Sequence, residues 1–155
     1  MENVIFKKIT EREIKALTEI SKKAFHTDHL VGCDKKEGGP PGYDSEQFHI
    51  KMMKISKAFY KIVYMDKIIG GFWIMDKGNG HYYFARIFLD PEYHRKGIGL
   101  QAFEYLFAEY PNVTKWTLET PPWNIRTRAF YIKLGFLIVK ETNDDIFFER
   151  NLPIN

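Results

Sequence analysis

The ten residues from Asp90 to Gly99, DPEYHRKGIG, constrain the fold of this chain more than any other stretch. They follow an apolar run, His81 to Leu89, that predicts a strand, and they lead into a helical pattern beginning near Ile98. Two glycines let the backbone approach a ligand closely, and the N–H groups and dipole of the helix would face that ligand. The stretch therefore predicts either an anion-binding loop or an ordinary helix start that binds nothing.

Two other phosphate-binding motifs fit this stretch less well. A P-loop needs a lysine and a hydroxyl residue after its last glycine, and neither is present at that spacing. Gly97, Gly99 and Ala102 satisfy the GxGxxA pattern of a dinucleotide-binding loop, and Glu119 follows twenty residues after Gly99. That motif places its first glycine almost directly after the strand, whereas seven residues separate Leu89 from Gly97 here. A dinucleotide-dependent oxidoreductase is kept only as an alternative.

Periodicity and turn signals divide the rest of the chain into alternating strands and helices. Strands are predicted at residues 4–9, 60–65, 68–75, 81–89, 115–120, 136–141 and 146–152. One helix is predicted after a Thr10–Glu13 capping box, and a second after an Asp44–Gln47 cap, with Phe48, Met52, Ile55 and Phe59 on one side. A third helix is predicted from about Ile98 to Tyr110. A fourth is predicted from Ile125 to Leu134, between the cap residues Asn124 and Gly135. The order β-α-α-β-β-β-α-β-α-β-β indicates an α/β (mixed α+β) fold.

Length and composition exclude several classes of protein. The 155 residues suit a single domain, 1–155, and the net charge of +3 is too small to indicate a nucleic-acid partner. One cysteine, Cys33, rules out an internal disulfide and suits a reducing compartment. The first residues lack the apolar stretch of a secretory signal, and Ile68 to Met75 is too short to span a membrane. We therefore expect a cytoplasmic protein with no membrane or nucleic-acid partner.

His26, His29 and Cys33 have a spacing that superficially suits zinc. No fourth ligand is evident nearby, and the segment falls where a helix enters a loop. We therefore expect no metal.

A second motif lies downstream, at residues 124–136, NIRTRAFYIKLGF. Together, HRKGIG and the pattern N-x4-A-F-Y-x2-LGF resemble the GNAT superfamily of acetyl-CoA-dependent N-acetyltransferases. The resemblance covers the whole chain, because the element order, the separation of the two motifs and the closing hairpin all agree. It implies a twisted, mostly antiparallel mixed sheet of about seven strands with four helices, and acetyl-CoA as cosubstrate.

The resemblance also implies roles for individual residues. The loop that would bind the CoA pyrophosphate comprises Arg95, Lys96, Gly97, Ile98, Gly99 and Leu100. Phe88 and Leu89 would pair with pantetheine through their backbone where the fourth and fifth strands splay apart, and Asn124 would contact it from the other side. Tyr131 would be the general acid that protonates the leaving thiolate.

Two positions depart from the family pattern. His94 occupies a position usually held by Arg or Gln, and Arg86 stands where many members carry a glutamate as general base. An alkyl ammonium has a pKa near 10.4, so the site must still remove a proton from the amine. Glu119 is the first candidate for that base. His81, Glu92 or a chain of waters are the alternatives, and a backbone N–H near Leu89 could stabilise the oxyanion.

The chemical class of the acceptor is predicted from the segment between the first two helices. In the family that the chain resembles, this segment covers the acceptor site. That segment carries five acidic residues against two lysines: Asp28, Asp34, Glu37, Asp44 and Glu46 against Lys35 and Lys36. A negative rim would favour a cationic amine. We expect N-acetylation of a primary amine of a small molecule, by direct attack in a ternary complex. An acyl-CoA-binding regulatory module without turnover, suggested by Arg86, and a protein or peptide N-acetyltransferase are the alternatives. A homodimer is compatible with the sequence.

Overall fold

The computed structural model describes residues 2–26 and 39–152. Within these residues seven strands form one sheet: β1 (Val4–Lys8), β2 (Ala58–Tyr64), β3 (Lys67–Gly78), β4 (His81–Leu89), β5 (Lys115–Thr120), β6 (Leu137–Glu141) and β7 (Ile146–Asn151). The same residues form four α-helices: α1 (Ile14–Phe25), α2 (Glu46–Ile55), α3 (Ile98–Glu109) and α4 (Ile125–Lys133). The predicted fold class and element order are confirmed.

The sheet has the order β1-β2-β3-β4-β5-β7-β6, and β4 and β5 are its one parallel pair of neighbours among the described strands. Pairing between β4 and β5 extends only from His81↔Lys115 to Tyr83↔Thr117. Both strands continue beyond that point without pairing to each other, to Leu89 and to Thr120. They therefore separate, and the gap between them is called the wedge below.

A β-bulge in β4 determines which side chains share a face of the sheet. Trp73 of β3 pairs with Arg86 and the next residue, Ile74, pairs with Phe84, so that Ala85 is the extra residue on β4. Before the bulge, the Phe84 ring packs on Phe103 of α3, with 4.3 Å between centroids. After it, Arg86 contacts α2 on the opposite face. The bulge thus places Arg86 on the same face as Tyr83, three residues away.

The two faces of the sheet are covered differently. The face under α3 and α4 buries a large aromatic core, whose members include Phe84, Phe103, Trp116, Phe136 and Phe148. The other face packs against α1 and α2 along β2, β3 and β4. On the edge strand β6, Leu137 and Val139 are exposed. We call the α1–α2 side of the sheet, including its continuation over β5 and β7, the acceptor face.

Three sequence-based details were wrong. Ser45, not Asp44, caps α2, because its extended backbone lets Oγ accept a hydrogen bond from the Phe48 N–H at 3.0 Å. Phe59 lies on β2, paired with Trp73, and is not part of α2. The tight turn after β2 is formed by Met65 and Asp66, which both have positive φ, so β2 ends at Tyr64 and β3 begins at Lys67 rather than at Met65 and Ile68 as predicted.

Candidate active site

The segment 95–100, called the cradle below, presents backbone N–H groups at the start of α3. Gly97 is the N-cap, with φ of 77°, a left-handed conformation that favours glycine. The first N–H groups of an α-helix have no intrahelical partner, and no side chain of the described residues caps those of α3. The first turn of α3 contains no acidic residue. The cradle is therefore a site of positive potential made from the main chain.

The space around the cradle fits a pyrophosphate. A Cβ built on Gly97 would have no atom of the described residues within 4 Å, its two chain neighbours apart, so the backbone faces open space. A Cβ on Gly99 would lie 3.2 Å from Cζ of Phe130, so this glycine also permits close packing of α3 against α4. The side chains of Arg95 and Lys96 are exposed and bring two positive charges to the same loop. An anionic group can approach the N–H groups without displacing a side chain at Gly97.

Asp90 and His94 attach the cradle to the end of β4. Asp90 is buried, its N–H donates to the Ile69 carbonyl at 2.8 Å, and its carboxylate forms an ion pair with Lys23 at 3.2 Å. The His94 Nε2–H donates to the Leu89 carbonyl at 3.0 Å. Burial lowers the pKa of His94, which favours the neutral ring with a single donor. His94, the departure from the family pattern, thus fixes the loop by a hydrogen bond to the strand.

The backbone of Leu89 faces the wedge. Asp90 is hydrogen-bonded to Ile69, so the neighbouring pair Leu89–Gly70 is a non-hydrogen-bonded pair of the antiparallel ladder. The N–H and carbonyl of Leu89 therefore point away from β3, and the carbonyl accepts the bond from His94. Phe88 is in the alternate register and pairs with Gly71. Of the two residues predicted to bind pantetheine through their backbone, Leu89 is the one oriented to do so.

Tyr131 lies on α4 in the aromatic core and is 5% exposed. Its ring contacts Phe103, Phe136 and Phe148, with centroid distances of 5.7, 5.9 and 5.5 Å. Its hydroxyl forms no hydrogen bond with any described residue, and burial raises the pKa of the phenol. Tyr131 therefore keeps its proton at neutral pH and has no internal acceptor for it. Asn124 caps α4, where its side-chain oxygen accepts from the Thr127 N–H at 3.4 Å.

Glu119 lies on the acceptor face and is joined to Tyr83 across the wedge. The Tyr83 hydroxyl donates to Oε1 of Glu119 at 2.9 Å. The two residues line a cavity of about 290 Å³ whose wall also includes Val139 and Phe147. Burial and the carboxylate beside it raise the pKa of Tyr83. The arrangement presents an exposed carboxylate, oriented by a phenol, beside the point where β4 and β5 part.

The two weaker base candidates have other surroundings. His81 Nε2 lies 2.6 Å from Oγ1 of Thr117, and burial lowers the pKa of this histidine. Glu92 lies in the short 3-10 turn Pro91–Tyr93 with an exposed side chain, and its N–H donates to the Asp90 carboxylate at 3.0 Å. Of the three base candidates, Glu119 is the carboxylate that accepts a side-chain hydrogen bond on the acceptor face.

Arg86 is held between two aromatic rings on the same face. The guanidinium carbon lies 5.2 Å from the Phe48 ring centroid and 5.1 Å from that of Trp73. Nη2 donates to the Pro41 carbonyl at 3.1 Å. Burial lowers the pKa of Arg86 to about 10, which leaves the side chain charged at neutral pH.

The structure brings no metal ligands together in the residues it describes. Residues 2–26 and 39–152 contain no group of three His, Cys, Asp or Glu side chains suited to a metal ion. His26 is hydrogen-bonded to the Tyr43 hydroxyl at 3.1 Å, while His29 and Cys33 lie outside the described residues. Over the same ranges, every helix is too short or too polar to cross a membrane.

Comparison with known proteins identifies the family. The model of a protein family described as "Acetyltransferase (GNAT) family" matches residues 15–136 of this chain. The matched region includes the cradle and the segment from Asn124 to Phe136. The chain belongs to the GNAT acetyltransferase family. Membership assigns it to the acetyl-CoA-dependent acyltransferases and excludes the dinucleotide-dependent oxidoreductase considered from the sequence.

One curated protein and several solved structures are similar to this chain. The Bacillus subtilis (strain 168) protein YrkN, itself uncharacterized, is 34% identical over 87 residues, which cover 55% of this chain and 47% of YrkN. The chain thus spans about half the length of the curated relative that it matches. An acetyltransferase from Thermus thermophilus superposes with a TM-score of 0.80 at 14% identity, covering 97% of each chain. The PaiA N-acetyltransferase of Thermoplasma acidophilum, solved with coenzyme A, gives 0.76 at 17% identity and covers 96% of this chain and 99% of its own.

Two features of the acceptor face are not evident from the sequence. Tyr83 is one of many aromatic residues there, and only the parallel pairing of β4 with β5 shows that it reaches Glu119. His49 appears as a polar residue of an amphipathic helix, yet it is completely buried beneath Trp73 and Phe88. The one sequence signal for this region is Arg86 itself, a charged residue inside an otherwise apolar strand.

Proposed function

We propose that the protein transfers the acetyl group of acetyl-CoA to the primary amine of a small molecule, by direct attack in a ternary complex. The observation that carries this proposal is the uncapped N-terminus of α3, which faces open space and is attached through His94 to the strand that borders the wedge. Pyrophosphate on the cradle would let the pantetheine arm run along Leu89 into the wedge. The thioester would then lie between β4 and β5.

We assign a candidate group to each requirement of amine acetylation. The Leu89 N–H would stabilise the oxyanion that forms on the thioester carbon. Tyr131 would give its proton to the departing thiolate, a role that suits a phenol kept protonated by burial. Glu119, oriented by Tyr83, would accept the proton of the amine from the acceptor face. Asn124 would contact pantetheine with the part of its amide that does not cap α4.

The acceptor proposal draws on the cavity beside Glu119 and on the predicted negative rim. Asp28, Asp34 and Glu37, which would form most of the predicted negative rim, lie outside the described residues. The cavity beside Glu119 is large enough for a small amine, which supports a small-molecule acceptor over a peptide. A cytoplasmic location, a homodimer and a single domain over 1–155 stay predictions.

The direct test is amine-dependent release of CoA from acetyl-CoA, measured with a thiol reagent over a panel of primary amines and peptides. The expected result is saturable release with at least one small amine and a product heavier by one acetyl group. Release with peptides alone would move the proposal to a peptide N-acetyltransferase. Tight binding of acetyl-CoA without release on any amine would support the regulatory module instead, for which Arg86 in the position of the usual base is the specific observation.

A further inference from the structure

Arg86 carries a positive charge that no described residue neutralises. Its guanidinium lies between Phe48 and Trp73, and its one hydrogen bond to the described part of the chain goes to the Pro41 carbonyl. Nη1 is buried and has no hydrogen-bond partner among residues 2–26 and 39–152. Arg86 forms no ion pair with any described acidic residue, and Tyr83 is the one group that favours its charged form. Arg86 is half-buried, and a partly desolvated charge without a counter-ion among the described residues is costly, so this position is suited to an anion supplied from outside.

The position of Arg86 relative to Glu119 suggests where such an anion would belong. The bulge at Ala85 turns Arg86 onto the acceptor face, where Tyr83 is close enough to influence its pKa. Tyr83 in turn holds Glu119. The acceptor face therefore has a cation on β4 and a carboxylate on β5, with the Tyr83 hydroxyl joined to the carboxylate. A molecule with an amine at one end and an anionic group at the other matches this arrangement.

A second arginine shows that an unpartnered Nη1 is not sufficient evidence on its own. Arg150 lies 4.0 Å from the Phe107 ring centroid, donates through Nε to the Leu134 carbonyl at 3.1 Å and also has a buried, unpartnered Nη1. It packs on α3, on the opposite face of the sheet from Glu119. What distinguishes Arg86 is its place on the acceptor face beside Tyr83. Arg150 therefore provides a matched control.

We infer that the acceptor is an amine that also carries a carboxylate, which Arg86 binds while the amine lies toward Glu119. The planar guanidinium matches the geometry of a carboxylate and forms strong, charge-assisted hydrogen bonds with it. The residue that replaces the usual base would then determine specificity. This inference rests on the proposed acetyl transfer, and it names the class of its acceptor.

The test compares amines that differ only in the carboxylate, such as β-alanine with ethylamine and phenylalanine with phenethylamine. Wild-type protein is expected to release CoA with a kcat/KM about 10–100-fold higher for the carboxylate member of a pair, the range for a hydrogen bond to a charged group. Arg86→Met, which keeps an apolar stem between the two rings, is expected to reduce that preference to within about 3-fold by raising KM for the carboxylate member. Arg86→Lys should retain part of it, and Arg150→Met should retain all of it.

Each outcome separates this inference from the proposed function. Turnover without preference for the carboxylate member, or a preference that survives Arg86→Met, would overturn the role of Arg86 and leave acetyl transfer intact. If no amine is acetylated, the proposed acetyl transfer is wrong. The role of Arg86 is then tested separately, by calorimetric measurement of how tightly the same pairs of amines bind to CoA-saturated protein. Tighter binding of the carboxylate member, lost in Arg86→Met and kept in Arg150→Met, would support the inference. Equal binding of both members, or none, would overturn it.

Discussion

The cradle and the acceptor face are built from different parts of the chain. The cradle uses main-chain N–H groups of consecutive residues at the start of α3, with a glycine at the N-cap. The acceptor face uses side chains from separate elements, Arg86 on β4 and Glu119 on β5, positioned by a bulge and by a short parallel pairing. A main-chain site binds any ligand with the right anionic group, whereas a side-chain site depends on which residues occupy it.

This difference separates what is general from what is specific to this protein. If the main-chain N–H groups of the cradle bind the acetyl donor, as we propose, His94 can occupy its position without weakening that binding. The acceptor face holds a half-buried arginine, Arg86, between Phe48 and Trp73. Binding of the acetyl donor should therefore be sensitive to changes that affect the backbone of the cradle. Binding of the acceptor should be sensitive to substitution of side chains on the acceptor face.

The largest expected effect comes from placing a carboxylate in the cradle. Gly97→Glu should weaken acetyl-CoA binding by at least about 100-fold, because the new side chain occupies the open space and repels the pyrophosphate. Gly78→Glu is the matched control, since Gly78 also has positive φ and open space but lies at the turn between β3 and β4. Both variants should lose about 1–2 kcal/mol of stability from the left-handed backbone. Titration calorimetry measures the affinity of both variants for acetyl-CoA. Equal losses of affinity in the two variants would contradict binding of acetyl-CoA at the cradle.

The next effect is on the rate of the chemical step and not on the binding of acetyl-CoA. Tyr131→Phe should lower kcat about 100-fold, the usual contribution of a general acid, with the KM for acetyl-CoA nearly unchanged. The hydroxyl has no hydrogen bond with the described residues, so the free energy of unfolding should change by less than about 0.5 kcal/mol. Steady-state kinetics and chemical denaturation check the two expectations. An unchanged kcat would show that another group protonates the thiolate.

These two predictions concern residues that the sequence could identify, and there is a physical reason for that. The cradle is contiguous in the chain, so the spacing of Gly97 and Gly99 after a strand already describes it. The strands and helices follow from local periodicity, and their errors are confined to ends such as the cap at Ser45. The role of Arg86 depends on a bulge that shifts the strand by one residue, and nothing local in HYYFARIFL predicts that shift. The hydrogen bond between Tyr83 and Glu119 likewise depends on the register of β4 against β5, because the two residues are 36 positions apart in the chain.

A smaller effect is expected from the phenol of the acceptor face. Tyr83→Phe removes the hydrogen bond to Glu119 and should lower kcat about 10-fold, while binding of acetyl-CoA is retained. Tyr110→Phe is the control, because it removes a 2.6 Å hydrogen bond to Tyr60 away from the wedge. The control should change the free energy of unfolding and not kcat. If both variants behave alike, Tyr83 has only a structural role.

The last effect is on stability in acid rather than on activity, and it should depend on the acceptor face. His49 is completely buried beneath Trp73, and burial lowers its pKa from 6.5 to about 4. The unfolded chain therefore binds a proton that the folded protein does not, so stability is full above about pH 6.5 and falls as the pH drops toward 4. At about 1.4 kcal/mol per pKa unit, this corresponds to on the order of 3 kcal/mol. In His49→Leu the slope of unfolding free energy against pH between 6.5 and 4 should be smaller, and an equal slope would assign the acid sensitivity elsewhere.

The central claim, that the cradle binds the acetyl donor, is tested most directly by thermal denaturation with acetyl-CoA, CoA and NADH in parallel. A ligand at about 100 times its Kd adds about 2.7 kcal/mol of stability, which for a domain of this size is roughly 5–10 °C in Tm. The account predicts that shift with acetyl-CoA and with CoA, its loss in Gly97→Glu, and no shift with NADH. No shift with either CoA species at saturating concentrations would contradict the account.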